Sequence, residues 1–371
     1  MARLHLSGKW VGLCALLMLG GVFTTFAQDP VTTQLHATRN YLNPAYAGYS
    51  SDLSLHYNSR LQWTNVSGKF ATHNFAANIA CEERNLGFAL YAHDNREGDG
   101  SLRTTLVGGQ IAGYFPLSFE NLKKSSAPGM FSIGLQIGGG FQQVDWDAFT
   151  FSDQLSNETY RKLRAQSIIL PQDVYGGAVW DVAAGARGLY SLFDEHGYVS
   201  LGAAAFHLVG NERSFFNDTA RWPPRYTGHL WLYYYWGHGK DTRFSLEFGS
   251  VYHRQLVMNN WTNMTYFSYN TLRLGVGLRK GIVKEINTEV NKLTLDSWIV
   301  QVDYEIFKNC LLSYSYEITT NKLNQTNTYG THEFGIIYTF EGSVLCPSRF
   351  KNDIDCIKPI PELQNHAMSG L

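Results

Sequence analysis

Hydrophobic and polar residues alternate along several stretches of this chain, most regularly in its second half. The alternation covers residues 131–137, 272–278, 298–306, 312–318 and 334–340. Successive side chains of a β-strand point to opposite faces of the sheet, so each stretch predicts a strand with one apolar face and one polar face. About 13 such segments can be counted between Asp52 and Phe340. The chain is therefore predicted to be all-β.

The polar faces of these segments carry charged residues and glycines in mid-strand, for example Arg273, Gly275 and Asp303. A water-facing lumen accepts such residues. A soluble secreted β-sandwich also hides one face of each sheet, and composition alone fits either architecture. A sheet of this length needs closure or a second layer in water, whereas in a bilayer closure is compulsory, because an open edge would leave backbone groups unpaired.

Aromatic residues favour the membrane alternative. Trp231, Tyr233, Tyr235 and Trp236 crowd one segment. Trp and Tyr concentrate at the membrane–water boundary, so we interpret them as a border of the apolar face. Bacterial outer-membrane barrels have an even number of strands. We therefore predict a transmembrane antiparallel β-barrel of about 14 strands at residues 52–340, in contact with outer-membrane lipid.

The segments between the predicted strands differ in length. Hairpin turns are predicted at residues 94–100 and 237–241, and longer loops at 145–173, 211–225 and 281–292. The alternation stops at Phe340. The polar residues 341–371, with three prolines, form a C-terminal tail that we expect to lie in the periplasm, where it is either a contact surface or a loosely attached extension.

The first 27 residues have the features of a secretory signal peptide. Arg3 and Lys9 give a positive start, residues 10–23 form an apolar run, and small residues precede a cleavage position after Ala27. The run is shorter than the about 20 residues that a membrane-spanning helix needs. We predict cleavage near Ala27 and a location in the bacterial outer membrane. Residues 28–51 then form an N-terminal strap or plug ahead of the barrel.

Composition and cysteine usage narrow the classes of function. Charged residues make up 16% of the chain, below the roughly 25% typical of soluble domains. A formal net charge of −1 gives no electrostatic reason to expect nucleic acid as a partner. Of the five cysteines, Cys14 lies in the predicted signal peptide. Cys346 and Cys356 flank a short loop in the tail, and we predict a disulfide between them, which export to the periplasm permits.

No motif predicts catalysis, a metal site or a cofactor. Asp303 and Glu305 share a strand face, and Glu317 lies on the next segment. Paired carboxylates can perform acid–base chemistry. Beside Arg273 and Arg279, however, these acids are better interpreted as the polar filling of a lumen. The chain is predicted to be non-enzymatic and to bind no cofactor or metal.

Four short motifs occur in a recognisable order. They are Asn43-Pro44-Ala45-Tyr46-Ala47-Gly48, Arg60-Leu61-Gln62-Trp63, Phe151-Ser152-Asp153-Gln154 and Phe206-His207-Leu208. With them the chain resembles the PorP/SprF family of outer-membrane proteins, which serve the type IX secretion and gliding-motility systems of the Bacteroidetes group. Leu61 and Ser152 stand where the family usually has Asn and Gly.

The resemblance implies a barrel that works by binding proteins. One branch of the family is associated with the secretion motor and its periplasmic components. The other branch works with large surface adhesins, through their export or their retention at the surface, and the long tail favours this branch. The motif residues are then partner-binding or structural positions. A passive channel or a hydrophobic-solute transporter is the alternative, because long loops and polar inward faces also suit a pore.

The strap contains the first of these motifs. Pro44 lacks a backbone donor and restricts Asn43 to extended conformations. The Asn43 side chain is then expected to bond to nearby backbone as an Asx-type turn. The segment is interpreted as a shaped plug; the simpler alternative is an ordinary turn before the first strand.

Overall fold

The computed structural model describes residues 29–345, with gaps at 51, 69, 99–101, 118–128, 151–176, 193–196, 211–221, 237–243, 257, 285–290, 308 and 343–344. The predicted signal peptide and most of the predicted tail lie outside these residues, so the cleavage site and the periplasmic placement of the tail stay predictions. No helix among the described residues is both long and apolar enough to cross a membrane.

Fourteen β-strands form the body of the molecule. They are β1 (Leu53–Gln62), β2 (Phe70–Cys81), β3 (Leu86–Glu97), β4 (Leu102–Leu117), β5 (Gly129–Gln143), β6 (Gly177–Leu192), β7 (Gly197–Phe206), β8 (Arg225–Trp236), β9 (Phe244–Gln255), β10 (Met258–Tyr269), β11 (Leu272–Lys284), β12 (Asn291–Phe307), β13 (Cys310–Thr319) and β14 (Thr331–Phe340). The described residues also contain two four-residue helices, α1 (Arg39–Leu42) and α2 (Gln325–Thr328).

The strands form one closed antiparallel barrel. Each strand pairs with its neighbours in the chain, and β14 pairs with β1 to close the sheet. At that seam Leu53 lies opposite Phe340 and Gln62 opposite Thr331, so both strands are paired along their full length. The predicted antiparallel barrel of 14 strands is confirmed. Closure leaves no sheet edge with unpaired backbone groups, which a lipid environment requires.

Apolar side chains face outward and polar side chains face inward. On β11, Leu274 and Val276 are 47% and 61% exposed, whereas Arg273 and Arg279 are each 6% exposed. β5, β12 and β14 repeat this pattern. A water-soluble fold buries its apolar residues and exposes its charges. The inverted arrangement is that of a barrel with lipid outside and a polar lumen inside.

The aromatic residues of β8 depart from the predicted arrangement. Trp231, Tyr233 and Tyr235 are buried, at 0%, 4% and 7% exposure, and face the lumen. Only Trp236 of the four predicted border residues faces outward. The prediction was wrong because Trp and Tyr suit a packed lumen as well as a membrane boundary, and the alternation on this strand is inverted relative to β11.

Two predicted connections are shorter than expected. Residues 94–97, assigned to a turn, belong to β3, and the turn begins at Gly98. Strands extend into the predicted loop at 281–292 from both ends. β11 continues to Lys284, which pairs with Asn291 at the start of β12. Backbone pairing does not need an apolar face, so polar strand ends show no alternation. The predicted turn at 237–241 lies outside the described residues.

The two mouths of the barrel differ. At one, which we call the tail mouth, β1 begins and β14 ends, and β10 and β11 are joined by two residues, 270–271. At the other, the loop mouth, residues 144–176 and 207–224 form the longest connections. Outer-membrane barrels have short periplasmic turns and longer extracellular loops.

Candidate functional site

The described part of the N-terminal strap, residues 29–50, fills the lumen of the barrel. Residues 32–50 are buried with the single exception of Tyr41, which is half-buried. The backbone amide of Asp29 donates to Gln255 Oε1 at the loop mouth, 2.7 Å away. The strap ends at Leu53, where β1 begins at the tail mouth. It therefore runs the length of the lumen from one mouth to the other.

A buried acidic pair fixes the strap at the loop mouth. His207 Nε2 lies 2.5 Å from Asp29 Oδ2 of the strap, and His207 Nδ1 lies 2.9 Å from Asp181 Oδ1 on β6. The His207 ring stacks on Trp222, with ring centroids 4.0 Å apart, and Trp222 Nε1 donates to Asp29. His207 has a φ of 58°, which turns the chain sharply after β7.

The charge of His207 depends on these two carboxylates. Burial by itself lowers the pKa of His207, because the charged ring loses its water. The negative charges and hydrogen bonds of Asp29 and Asp181 outweigh burial, and the pKa of His207 is raised above its ordinary value. The two carboxylates therefore favour the charged form of the ring, which joins the strap to the wall.

A second ionic cluster lies beside the barrel seam. Arg60 on β1 donates through Nη1 to Glu317 Oε1 at 2.6 Å and to Glu333 Oε2 at 3.0 Å. Arg279 on β11 lies 2.9 Å from Glu317. Arg60, Glu317 and Glu333 are 2%, 5% and 1% exposed. Two arginines and two glutamates balance each other, which allows their charges to be buried.

The strap supplies hydrogen-bond partners to this ionic cluster. The hydroxyl of Thr33 accepts from Arg60 Nη1 at 2.8 Å and donates to Glu317. The backbone amides of Thr33 and Gln34 donate to the two oxygens of Glu333, each at 2.9 Å. Buried acceptors that lose such partners are costly, so the strap and the wall satisfy each other.

The middle of the strap combines a polar contact with an apolar one. His36 Nε2 lies 3.1 Å from Glu247, and its ring packs 4.9 Å from that of Trp231. Leu35 and Leu42, both fully buried, belong to the same apolar cluster as Trp231. The inward aromatics of β8 therefore serve as a packing surface for the strap.

The first family motif, residues 43–48, determines the conformation of the part of the strap nearer the tail mouth. Asn43 is extended, with φ −161° and ψ 123°, and its side-chain oxygen accepts from the Ala45 amide at 2.9 Å. The predicted Asx-type turn is therefore present, and a single 3-10 turn, Pro44–Tyr46, follows it. Asn43 Nδ2 donates to the Ala186 carbonyl of β6 at 3.0 Å. The motif thus folds the strap and binds it to the wall.

Glycines allow the backbone of the strap to lie directly against the backbone of the barrel wall. Gly48 has a φ of +65°, and a Cβ there would lie 2.4 Å from the Cα of Gly87 on β3. On β5, a Cβ at Gly134 would lie 2.3 Å from the backbone of Pro44. No larger residue fits at such separations without moving one of the two backbones.

The remaining predicted site residues are dispersed. Gln62 ends β1 at the loop mouth, and Trp63 follows it with a φ of 54° and packs on Phe70, with ring centroids 5.6 Å apart. Phe151, Asp153 and Gln154 lie outside the described residues, as do Cys346 and Cys356. The roles of these residues, and the predicted Cys346–Cys356 disulfide, stay predictions.

The predicted polar filling of the lumen is present. Arg273 Nε donates to Asp303 Oδ2 at 2.6 Å, and Arg279 pairs with Glu317. Among the residues that the structure describes, no group of three or more His, Cys, Asp or Glu side chains is placed to hold a metal ion. Asp303 and Glu317 are thus paired with arginines, as the sequence predicts, whereas no salt bridge to an arginine is found for Glu305 within the described part of the chain.

Several residues of the site were not identified from the sequence. Asp181 and Glu333 on the wall and Thr33 on the strap take part in the contacts that hold the strap, yet no motif marks them. Glu333 precedes the regular alternation of β14 by one residue, so its inward direction could have been predicted. Its partners could not, because they lie 299 and 300 residues away in the chain.

Comparison with known proteins gives one family. The model of the family described as type IX secretion system membrane protein PorP/SprF matches residues 24–338. A search of curated proteins gives no significant match.

Solved structures give weak similarities. The KdgM porin is 9% identical, covering 77% of this chain and 99% of its own, with a TM-score of 0.36. Salmonella typhi OmpF in complex with daunomycin is 11% identical over 78% of this chain and 97% of its own, with a TM-score of 0.33. CdiB from Acinetobacter baumannii is 8% identical over 78% and 60%, with a TM-score of 0.41. The fold is established by the strand pairing of the chain itself.

Proposed function

The chain belongs to the PorP/SprF family of type IX secretion system membrane proteins, and on this premise we propose that it is a non-enzymatic barrel, closed by its own strap, that works by binding other proteins. Its fold and family point to the outer membrane. The partners are components of the type IX secretion or gliding machinery, or the C-terminal domain of a large secreted surface adhesin whose export or surface anchoring the barrel supports.

The observation that carries this proposal is the filled lumen. The strap lies buried inside the barrel from the loop mouth to the tail mouth. Two wall residues bind it: Arg60 contacts Thr33, and His207 contacts Asp29. A lumen occupied in this way offers no wide aqueous path. Contacts with partners then fall to the rims, the loops and the tail.

The orientation assigns partners to the two mouths. With long loops outside and short turns inside, the loop mouth faces the cell exterior and the tail mouth faces the periplasm. An adhesin would bind at the loop mouth. Periplasmic machinery would bind at the tail mouth, beside the C-terminal tail.

Co-purification from native outer membranes tests the proposal. A tagged full-length chain is solubilised in mild detergent and isolated, with an unrelated tagged outer-membrane barrel as the control. We expect secretion components or a large surface protein to accompany this chain and to be absent from the control. Recovery of the barrel with nothing beyond what the control retains would contradict the proposal.

A gene deletion separates binding from transport of solutes. Loss of the barrel is expected to abolish surface display of its partner. Supplying the gene in trans is expected to restore that display. Normal display and gliding in the deletion strain, combined with impaired uptake of a solute, would favour the passive channel or transporter instead.

A further inference from the structure

Two arginines face each other on the outer surface of the barrel near the loop mouth. Arg96 of β3 lies directly opposite Arg103 of β4 in the strand register. Their neighbours Asn95 and Thr104 are buried on the lumen side, so by the alternation of a strand both arginines point outward. Side chains directly opposite each other on one face of a sheet have Cβ atoms about 5 Å apart, and like charges in that arrangement are destabilising.

One carboxylate lies between the two guanidinium groups. Asp94 Oδ1 accepts from Arg103 Nε at 2.7 Å, and Asp94 Oδ2 lies 3.8 Å from Arg96 Nε. The Thr105 hydroxyl also donates to Asp94, at 2.6 Å. The side chains of Arg96 and Arg103 are 42% and 37% exposed. Two positive charges and one negative charge leave one positive charge that faces the surroundings of the barrel.

The arginine pair lies just beyond the apolar band of the outer surface. On β4 the outward residues from Val107 to Leu117 are apolar or glycine. They cover about 33 Å along the strand, or about 25 Å along the barrel axis at a tilt of about 40°. An outer-membrane barrel has an apolar band of about 25 Å. Arg103 lies about 10 Å beyond Val107 towards the loop mouth, and therefore in the headgroup layer of the membrane.

A phosphate group matches this cluster in charge and in geometry. A guanidinium group is planar and binds a phosphate through two parallel N–H donors. Both arginines contact Asp94 through Nε, and among the described residues no acceptor is found for their terminal amino groups. A phosphate bound between those amino groups supplies the negative charge that the cluster lacks. In the headgroup layer the phosphate belongs to a lipid.

From this arrangement we propose that Arg96 and Arg103 bind the headgroup phosphate of a lipid in the outer leaflet. The acyl chains of that lipid lie along the outer face of β3 and β4, where Leu90 and Val107 are 66% and 55% exposed. Asp94 orients the two guanidinium groups through their Nε atoms. The inference rests on the membrane location and orientation proposed above, but on none of the protein partners.

Arg254 is a matched control at the same mouth. It is exposed and faces outward on β9. Its cross-strand neighbours are Tyr226 and Asn259 rather than a second arginine. A single guanidinium group without a cationic neighbour should contribute little to the selection of a phosphorylated lipid.

Lipid binding by the purified barrel tests the proposal. The full-length mature protein, in a mild non-ionic detergent, is mixed with lipid A that carries one phosphate or with the same lipid A without phosphate. The two probes have identical acyl chains, and native mass spectrometry measures the bound lipid. We expect the first molecule of the phosphorylated probe to bind about tenfold more tightly. Equal binding of the two probes would overturn the proposal.

Variants assign the preference to this cluster. The double variant Arg96→Gln/Arg103→Gln should bind both probes equally, whereas Arg254→Gln should keep the wild-type preference. Heat-modifiable gel migration establishes that each barrel is folded. A preference that persists in the double variant, or that disappears in Arg254→Gln, would contradict the assignment.

The acid between the arginines gives a prediction of opposite sign. Asp94→Asn keeps the shape of the side chain and removes a negative charge beside the phosphate, so this variant should bind the phosphorylated probe more tightly than the wild type. A cluster with a purely structural role would be weakened by the same change. Weaker binding by Asp94→Asn would therefore count against the site.

A competition experiment distinguishes the source of the phosphate. Inorganic phosphate in large molar excess should leave the phosphorylated lipid bound, and its displacement would overturn the assignment to a lipid. A barrel that binds both lipid probes equally, yet co-purifies with secretion components, would refute the lipid site and leave the proposed function standing.

Discussion

Single residues hold the strap through buried charges rather than through surface contacts. Arg60 neutralises Glu317 and Glu333 at distances of 2.6 and 3.0 Å, with all three side chains out of reach of solvent. Removal of one member of such a cluster leaves the others charged and desolvated. The stability of the strap is therefore sensitive to individual substitutions at these positions.

Replacement of Arg60 by methionine tests this sensitivity. Arg60→Met keeps the aliphatic stem but removes the arginine partner of Glu333 and one of the two arginine partners of Glu317, and we expect the free energy of unfolding to fall by about 3–5 kcal/mol. Urea unfolding of the refolded barrel in detergent, followed by tryptophan fluorescence, measures the change. Arg103→Met is the matched control, because Arg103 pairs with Asp94 at a partly exposed site and should cost about 1 kcal/mol or less. Equal losses in the two variants would contradict the assignment.

His207 gives the strap a pH dependence. Its pKa is raised in the folded protein, so its contribution is complete below the unfolded pKa of 6.5 and is lost as the pH rises through the folded value. We expect the amide protection of Asp29, Val31 and Thr32 against hydrogen exchange to decrease above pH 6.5, after correction for intrinsic rates.

Two variants check the origin of that pH dependence. His207→Gln removes the titrating ring and should make the protection independent of pH over this range. His73→Gln, on the outer surface of β2, should behave like the wild type. An unchanged pH dependence in His207→Gln would show that another group is responsible.

At this scale the sequence was informative only where a motif was local. Asn43 and Pro44 are neighbours, so their turn could be predicted from conformational preference alone. The contact between His207 and Asp29 spans 178 positions, and nothing in either residue's surroundings indicates the other. Charge pairs of this kind depend on the three-dimensional closure of the barrel.

At the level of elements, the strands are the part that the sequence predicts best. The direction of the side chains along a strand repeats every two residues. β5, β11, β12 and β14 could therefore be recognised from a few alternating positions each. β8 was misread, because its inward face is aromatic and packs on Leu35 and Leu42 of the strap. An apolar inward face is explained only by the strap that packs against it, and the position of the strap could not be predicted from the sequence.

The fit between the strap and β5 is a testable property of this pair of elements. Gly134→Ala places a methyl group 2.3 Å from the backbone of Pro44, and we expect a loss of about 1–3 kcal/mol from overpacking. The measurement is urea unfolding as above. Gly188→Ala on β6 is the matched control, since its Cβ meets nothing within 4 Å. A Gly134→Ala barrel as stable as the Gly188→Ala barrel would show that the strap does not approach β5 this closely.

At the level of the whole molecule, the strap gives the chain an unusual path. The chain enters the lumen at the loop mouth, crosses it, and begins its first strand at the tail mouth. The sequence predicted a strap but not this direction, because hydrophobic patterning carries no information on where an irregular segment lies. The outward apolar surface, by contrast, was predictable from strand alternation alone.

The path predicts where the two ends of the mature chain appear. An epitope inserted between Gln28 and Asp29 is expected to bind antibody on intact cells, because Asp29 lies at the loop mouth. An epitope after Leu371 is expected to bind only after permeabilisation. Permeabilised cells serve as the control for expression of both proteins. Detection of the C-terminal epitope alone on intact cells would reverse the orientation.

The central claim is that the strap closes the lumen, and single-channel recording in planar bilayers tests it most directly. The full-length mature barrel is compared with a barrel that lacks residues 29–50, with circular dichroism to establish that both are folded. The account predicts no steady conductance steps for the full-length barrel and clear steps for the deleted one. Steady steps of equal size from both proteins would contradict it.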